Sequence, residues 1–215
     1  MKWLNALMKL KEQTRLCKIC FEPINDYSLM SLIQTKTTIC KKCLNDLVPV
    51  FQKFEVLGYH ALSIFSYDEM IQKYLYQFKA CFDFEIKELF LSRFKKELSI
   101  KYSNFIMIPI PSYKYDDETR EFNHVVEMFE CLHLPMMKII IKTHKFKQAT
   151  NKSEKRKEIS KHLELSSQPD LNGKKVLIVD DVYTTGSTMK AAIKLVETLH
   201  PKTIEVLVMS KTILK

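Results

Sequence analysis

Short apolar runs alternate with helical patterns along the chain. Residues 176–179 are four apolar residues in a row, which is typical of a strand buried on both faces of a parallel sheet. Apolar residues then recur at helical spacing from Met189 to Leu199. Pro201 ends this helix, and residues 204–209 predict the next strand. These residues therefore predict a βαβ unit.

The same alternation extends through the middle of the chain. We expect strands at residues 58–67, 105–108 and 139–141, a helix capped by Asp68, and helices at residues 83–98 and 120–132. Residues 44–54 have the pattern of a short amphipathic helix, although it contains Pro49. The fold class predicted is α/β, a parallel sheet flanked by helices, in which residues 56–215 form the main domain and residues 1–55 a small N-terminal module.

A hydroxyl-rich turn follows the strand at residues 176–179, directly after two carboxylates, Asp180 and Asp181. In open α/β sheets the ligand lies beyond the carboxyl ends of the strands. Free N–H groups, hydroxyls and the helix dipole there predict a socket for one phosphate, made by Thr184, Thr185, Gly186, Ser187 and Thr188. Carboxylates suit sugar hydroxyls or a Mg²⁺-bound water, so the combination points to ribose 5-phosphate.

Other nucleotide-binding patterns are missing. The chain contains neither GxxxxGK[ST] nor GxGxxG, and it has only 3 Gly. The alternative to a sugar-phosphate site is an ordinary strand-turn-helix with a capped helix. The strand at residues 105–108 ends at a Pro-Ile-Pro sequence, which is either a plain strand exit or a loop whose backbone N–H groups face a pyrophosphate.

Two CxxC pairs, Cys17/Cys20 and Cys40/Cys43, are separated by nineteen residues. Each pair places two thiolates on one turn, and two such turns offer four sulfurs for tetrahedral Zn²⁺. Four protein ligands leave no open position, so the metal would be structural and the module would be a zinc ribbon. Disulfides and a redox CxxC are the alternatives, and nothing in the sequence indicates export.

Composition is that of a globular protein: 215 residues with 46% hydrophobic residues are enough for a packed core. No run of 18 apolar residues predicts a membrane span. Residues 1–16 lack the pattern of a secretory signal and predict an amphipathic helix, either packed on the body or lying on a membrane surface. We therefore expect a cytoplasmic protein.

The net charge of +9 is unevenly distributed. Residues 138–161 contain nine lysine or arginine residues against two glutamates, a net charge of +7. Such a segment is usually a solvated face. Beside a pyrophosphate site or a nucleic-acid strand it would bind the anion.

The strand-turn at residues 176–188 resembles the phosphoribosyl-pyrophosphate motif of type I phosphoribosyltransferases. That resemblance implies Asp180 and Asp181 on the ribose 2′ and 3′ hydroxyls, stabilising the reacting sugar, and Thr184 to Thr188 around the 5-phosphate. It also implies a type I phosphoribosyltransferase-like sheet and a substrate that carries Mg²⁺.

The order of motifs along the whole chain is similar to that of the ComF competence-protein family: four cysteines, a PxP loop, an RxxN helix start, a basic segment and VDDVxTTGxT. By this resemblance, further candidates for binding phosphoribosyl pyrophosphate are Arg120, Asn123, Lys145, Gln148 and Arg156. Glu121 replaces the glycine that is usual in that family's RGFN sequence.

The family resemblance implies a role in DNA uptake during natural transformation, with single-stranded DNA and the competence helicase as partners. The function expected is thus a protein that binds phosphoribosyl pyrophosphate and Mg²⁺ and handles incoming single-stranded DNA. The alternative is an active Mg²⁺-dependent phosphoribosyltransferase of nucleotide metabolism or salvage with an unidentified acceptor.

Overall fold

A computed structural model describes residues 16–24, 39–112, 122–142 and 163–213. The chain divides into two compact units, residues 1–47 and residues 48–215. The helix predicted at residues 1–16 lies outside the described residues, apart from Leu16. Within the described ranges, no helix has both the length and the apolar character that a membrane span requires.

The N-terminal unit is built around its cysteines. Leu16 and Pro23 form an antiparallel bridge, which closes the first CxxC turn. Cys40 caps helix α1 (Lys41–Asn45), because its sulfur accepts a hydrogen bond from the Cys43 backbone N–H. Cys17 and Cys43 are both buried.

The second unit contains a five-stranded sheet with the order β1-β2-β7-β6-β3 among the described residues. Its strands are β1 (Pro49–Val56), β2 (Tyr59–Ser66), β3 (Phe105–Pro109), β6 (Lys175–Tyr183) and β7 (Thr203–Lys211). Strand β1 is antiparallel to β2, and the other neighbours pair in parallel. Strands β4 (Ile140–Lys142) and β5 (Leu163–Leu165) form a separate antiparallel pair. The mostly parallel α/β sheet predicted from the sequence is confirmed.

The helix predicted at residues 44–54 is wrong. Helix α1 ends at Asn45, and the chain enters β1 at Pro49, whose ring cannot continue a helix. Strand β1 turns into β2 through Leu57 and Gly58, both with positive φ (53° and 83°). Pairing with β2 satisfies the backbone of these residues, and the amphipathic pattern alone did not reveal that partner.

Helix α2 (Glu69–Ala80) begins as predicted, with the Asp68 side chain accepting a hydrogen bond from the Ile71 N–H. The continuous helix expected at residues 83–98 is instead a chain of short pieces: a 3₁₀ turn at Phe84–Lys87, α3 (Glu88–Leu91), a 3₁₀ turn at Ser92–Phe94 and α4 (Lys95–Lys101). Helix α5 (His124–Glu130) and helix α6 (Ser187–Glu197) complete the unit.

The centre of the sheet is fully buried. Residues 176–179 of β6 are all 0% exposed, because β6 lies between β3 and β7 and both of its faces are covered. Met189, Ile193 and Val196 of α6 pack against this core. The rigid centre therefore holds the carboxyl end of β6, and the turn that follows it, in a defined position.

Candidate functional site

A cavity of about 260 Å³ lies at the carboxyl ends of β3 and β6. Strand β6 continues to Tyr183, so Asp180 and Asp181 lie three and two residues before its end rather than closing it. Strand β3 stops at Pro109, opposite Val179, and this leaves both aspartates beyond the end of their neighbour. The lining comprises Lys79, Ile110, Pro111, Ser112, His124, Val125, Lys142, Asp180, Asp181 and Thr188.

Asp180 and Asp181 line this cavity from different sides. Side chains of adjacent strand residues point to opposite faces, and each of these carboxylates accepts a hydrogen bond from the next backbone N–H, at 2.9 Å for Asp180 and 2.7 Å for Asp181. Asp180 also lines the small cavity of the following turn. Asp181 is 6% exposed and forms an ion pair with Lys79 of α2, and its Oδ2 lies 3.2 Å from Nε2 of His124 on α5.

The buried environment of Asp180 disfavours ionisation of its carboxyl group. Burial raises its pKa from 3.8 to about 7, and the positive charges of Lys79 and Lys142 oppose the shift. A hydroxyl-rich ligand that hydrogen-bonds to the carboxylate would favour its charged form. The protonation of Asp180 would therefore depend on whether such a ligand is bound.

The turn after β6 forms a second, smaller cavity of about 40 Å³ against the N-terminus of α6. Gly186 precedes the helix in the left-handed conformation, with φ +73°, and the hydroxyl oxygens of Thr185 and Ser187 lie 3.2 Å apart. This cavity is lined by Asp180, Val182, Tyr183, Thr184, Gly186, Ser187, Thr188 and Met189. Hydroxyls and the amino end of an eleven-residue helix converge here, as an anion site requires.

A hydrogen-bonded chain of side chains leads into Asp181. The Ser112 hydroxyl oxygen lies 3.1 Å from Nδ1 of His124, and Nε2 of the same buried ring faces Asp181. Sequence reasoning missed Lys79, Ser112 and His124 as site residues. Lys79 and His124 come from helices far from β6 in the sequence, and no local motif connects them to Asp181.

Asn123 is the one candidate from the RxxN sequence that the structure describes. Its side-chain oxygen accepts a hydrogen bond from the Val126 N–H and caps α5, and its amide donates to the Ser112 hydroxyl at 3.4 Å. Arg120, Lys145, Gln148 and Arg156 lie outside the described residues, and their roles stay predictions. Lys142, which belongs to the basic segment, does line the cavity beside Asp180.

The four cysteines of the N-terminal unit form one cluster. Their sulfurs all lie within 4.8 Å of one another, and those of Cys20 and Cys40 are 3.7 Å apart. Tetrahedral zinc with Zn–S bonds of about 2.3 Å separates its sulfurs by about 3.8 Å. The donor set and its dimensions therefore fit a structural Zn²⁺ ion without an open position.

The electrostatics of the cluster also favour a cation. Burial works against ionisation of Cys17, but backbone N–H groups, including those of Cys40 and Ile19, outweigh it and lower the pKa from 9.0 to about 6. Burial and the neighbouring sulfurs raise the pKa of Cys43. A second thiolate is thus disfavoured beside the first, and a divalent cation would supply the charge that stabilises all four.

Solved structures that this chain is similar to are phosphoribosyltransferases. One is a hypoxanthine phosphoribosyltransferase from Staphylococcus aureus, 14% identical, with a TM-score of 0.38 over 60% of this chain and 73% of that chain. Another is a purine phosphoribosyltransferase from Pyrococcus horikoshii Ot3, 21% identical, with a TM-score of 0.36 over 57% of this chain and 71% of that chain.

The amino-acid sequence matches known proteins over most of its length. Residues 123–211 match the family model of the phosphoribosyl transferase domain. Competence protein ComFC of Bacillus subtilis is 28% identical over 194 residues, which cover 87% of this chain and 80% of that protein. Competence protein ComFC of Streptococcus pneumoniae is 25% identical over 207 residues, which cover 94% of this chain and 90% of that protein. The chain is therefore similar to these competence proteins over most of its length, and its fold is type I phosphoribosyltransferase-like.

Proposed function

We propose that this protein binds phosphoribosyl pyrophosphate with Mg²⁺ and acts in DNA uptake during natural transformation, where it handles incoming single-stranded DNA in the cytoplasm. The observation that carries the ligand assignment is that two aspartates line one cavity. The hydroxyl-rich turn at the N-terminus of α6 lies directly beside it. The competence proteins that match most of the chain support the biological role.

Each part of the ligand has a matching part of the site. The hydroxyls and N–H groups of Thr184 to Thr188 suit the 5-phosphate, and the carboxylates of Asp180 and Asp181 suit the ribose hydroxyls. The ammonium group of Lys142 lies on the cavity wall, where a pyrophosphate oxygen would be stabilised. Mg²⁺ bound to the pyrophosphate would neutralise its negative charge.

Lys79 and His124 contact Asp181 in the site before any ligand binds. Lys79 forms an ion pair with Asp181 and Nε2 of His124 lies 3.2 Å from the same carboxylate, so a ribose hydroxyl would either share this carboxylate with them or displace one. Because these two contacts keep Asp181 oriented, little ordering of its side chain is needed when the sugar binds.

An active phosphoribosyltransferase of nucleotide metabolism or salvage is the second candidate, and His124 is the observation that favours it. Departure of pyrophosphate from C1 would break the C1–O bond, and the acceptor nitrogen or oxygen would form the new bond and lose a proton. His124 is buried, oriented by Asp181 and adjacent to the Ser112 hydroxyl. A neutral ring in this position is suited to take that proton.

Calorimetry of the full chain with phosphoribosyl pyrophosphate and Mg²⁺ tests the ligand assignment. We expect Asp180→Asn with Asp181→Asn to lose binding at least tenfold while thermal unfolding stays cooperative. Glu164→Gln, which removes an exposed carboxylate on β5, is the matched control. Undiminished binding by the double variant would end the ribose assignment.

Two further measurements separate the candidate roles. Pyrophosphate release in the presence of Mg²⁺ and candidate bases or DNA reports transfer, and His124→Gln should reduce that turnover more than ligand affinity if the chain is an enzyme. Transformation frequency in a strain carrying the Asp180/Asp181 variant reports the competence role. Loss of transformation without measurable pyrophosphate release would favour the binding role. A pull-down of the competence helicase with this protein would test the helicase as a partner.

A further inference from the structure

Two side chains contact the same oxygen of the Asp181 carboxylate. The ammonium group of Lys79 forms an ion pair with Oδ2, and Nε2 of His124 lies 3.2 Å from the same atom. Oδ2 is itself buried, although Asp181 lines the larger cavity. A ribose hydroxyl can therefore reach this oxygen only after one of the two side chains has moved.

Of the two side chains, Lys79 is the one that can move at little cost. Its side chain is 31% exposed, whereas that of His124 is 9% exposed. The His124 ring is also held from its other side, because Nδ1 lies 3.1 Å from the Ser112 hydroxyl oxygen. A lysine has a long flexible stem, whereas a buried ring with a contact at each nitrogen would have to leave its packing. We therefore expect the sugar to displace Lys79 and leave His124 in place.

Lys79 lies where the C1 substituent of the sugar would lie. Asp180 and Thr188 line both the larger cavity and the smaller cavity of the hydroxyl-rich turn, so the two cavities adjoin at these residues. With the 5-phosphate in the smaller cavity, the ribose lies at Asp180 and its C1 substituent extends into the larger cavity. Lys79 lines the larger cavity and not the smaller one. Its ammonium group can therefore reach an anion on C1 but not the 5-phosphate.

A lysine that leaves a buried carboxylate needs another anion as its partner. Pyrophosphate on C1 supplies one, since ammonium groups form strong charge-assisted hydrogen bonds to phosphate oxygens. The ribose hydroxyls in turn donate to the carboxylate of Asp181. Ribose 5-phosphate offers the same hydroxyls but no anion at C1, so its binding would break the ion pair without replacing it.

We propose that Lys79 makes the site selective for a ribose 5-phosphate that carries pyrophosphate on C1. Lys79 pairs with Asp181 before the ligand binds and with the pyrophosphate in the complex, which leaves the carboxylate to the ribose hydroxyls. This inference rests on the proposed function and adds the residue that decides between phosphoribosyl pyrophosphate and ribose 5-phosphate.

Calorimetry of the full chain with each of these two ligands, in the presence of Mg²⁺, tests the selectivity. Lys79→Met keeps the length of the side chain and removes its charge. Its affinity for phosphoribosyl pyrophosphate should fall about tenfold or more, because a hydrogen bond to a charged group is lost. Its affinity for ribose 5-phosphate should rise about two- to fivefold, because no partly exposed ion pair has to be broken. A purely structural role of Lys79 would not change the two affinities in opposite directions.

Matched variants separate this exchange from general effects of charge. Lys73→Met removes the same charge from the exposed face of the same helix, at a residue that does not line the cavity, and should bind both ligands as the parent does. Lys79→Arg keeps the charge and should keep the preference for phosphoribosyl pyrophosphate. Lys79→Gln, whose amide can still contact Asp181, replaces Lys79→Met if the latter does not unfold cooperatively.

A double-variant cycle tests whether Lys79 acts through Asp181. In an Asp181→Asn protein the lysine has no carboxylate to leave. Lys79→Met should then no longer raise the affinity for ribose 5-phosphate. The same gain in both backgrounds would overturn the exchange between Asp181 and pyrophosphate.

The outcomes distinguish this inference from the proposed function. If the parent protein does not bind phosphoribosyl pyrophosphate, the ribose assignment fails and the role of Lys79 fails with it. If the parent binds it but Lys79→Met weakens both ligands by the same factor, or behaves like Lys73→Met, the selectivity alone is refuted. Tighter binding of both ligands by Lys79→Met would also refute it, because Lys79 would then only block the carboxylate.

Discussion

The phenol of Tyr183 packs so closely against Gly186 that a larger residue there would force the ring to move. A β-carbon added to Gly186 would lie 2.2 Å from the Tyr183 hydroxyl oxygen. Tyr183 is held in turn by the ring of Phe54, with centroids 4.9 Å apart. The shape of the hydroxyl turn thus depends on a side chain that ends the preceding strand.

Replacement of Gly186 by alanine should distort this turn. We expect Gly186→Ala to lower the free energy of unfolding by about 1–3 kcal/mol, because the new methyl group meets Tyr183 and because φ is +73°. Affinity for phosphoribosyl pyrophosphate should fall as well. Denaturant unfolding and calorimetry measure the two effects.

Gly173→Ala isolates the contribution of backbone strain. Gly173 has nearly the same φ, +71°, but nothing lies within 4 Å of an added β-carbon. We expect its replacement to cost less and to leave ligand binding unchanged. Gly186→Ala combined with Tyr183→Ala should recover part of the lost stability, and equal costs for the two glycines would contradict the proposed contact.

Loss of one cluster cysteine should remove the metal from the N-terminal unit. Cys43→Ser takes away a buried sulfur that lies within 4.8 Å of the other three. We expect zinc, measured by mass spectrometry on protein purified without chelators, to fall from about one ion per chain to well below half. Cys81→Ser removes an exposed cysteine outside the cluster and should retain zinc. A parent protein without zinc would refute the site.

Stability should depend on pH through Asp180. Its pKa is raised from 3.8 to about 7 in the folded protein, so the folded state binds the proton more tightly than the unfolded state. The protonated Asp180 therefore contributes to the free energy of unfolding. This contribution is fully present below pH 3.8 and is lost as the pH rises through about 7. Asp180→Asn mimics the neutral carboxyl group and should be the more stable protein at pH 8, by at most about 4 kcal/mol.

Denaturant unfolding of this variant and the parent at pH 4, 6 and 8 measures the difference. The two proteins should have similar stability at pH 4 and diverge as the pH rises. Glu164→Gln serves as the control at an exposed carboxyl group, where no such divergence is expected. If the free energies of unfolding of the Asp180 variant and the parent differed by the same amount at all three pH values, the raised pKa of Asp180 would be contradicted.

The basic segment should contribute electrostatically to strand binding. Charge reversal of Lys145, Lys147 and Lys155 should weaken binding of single-stranded DNA. It should also reduce the salt dependence, by roughly 0.7 in the slope of log K against log salt for each phosphate that the protein no longer neutralises. Anisotropy titrations at several salt concentrations measure the slope. Reversal of Lys190, Lys194 and Lys202 changes the charge equally elsewhere, and identical slopes in both triple variants would move the DNA path away from the basic segment.

Local patterns predicted much of the fold correctly. The apolar run at residues 176–179 is the central strand, and Asp68 caps the helix that follows β2, because burial and capping depend on neighbours in the sequence. The hydrophobic pattern gave the wrong element where contacts with residues distant in the sequence determine the structure. Residues 49–54 pair with β2 as a strand, and residues 83–98 break into short turns that pack phenylalanine rings against α2, as Phe78 and Phe90 do with centroids 5.6 Å apart.

The sequence by itself determined the chemistry of the two clusters: four cysteines spaced as two turns, and two aspartates followed by hydroxyls and one glycine. These depend on residue types within a few positions of each other. Only the tertiary structure decided what surrounds Asp181, because Lys79 and His124 lie some hundred and some sixty residues before it and reach it through the packing of α2 and α5 on the sheet. Contacts between residues so far apart leave no local pattern, because they form only when the sheet and helices have packed.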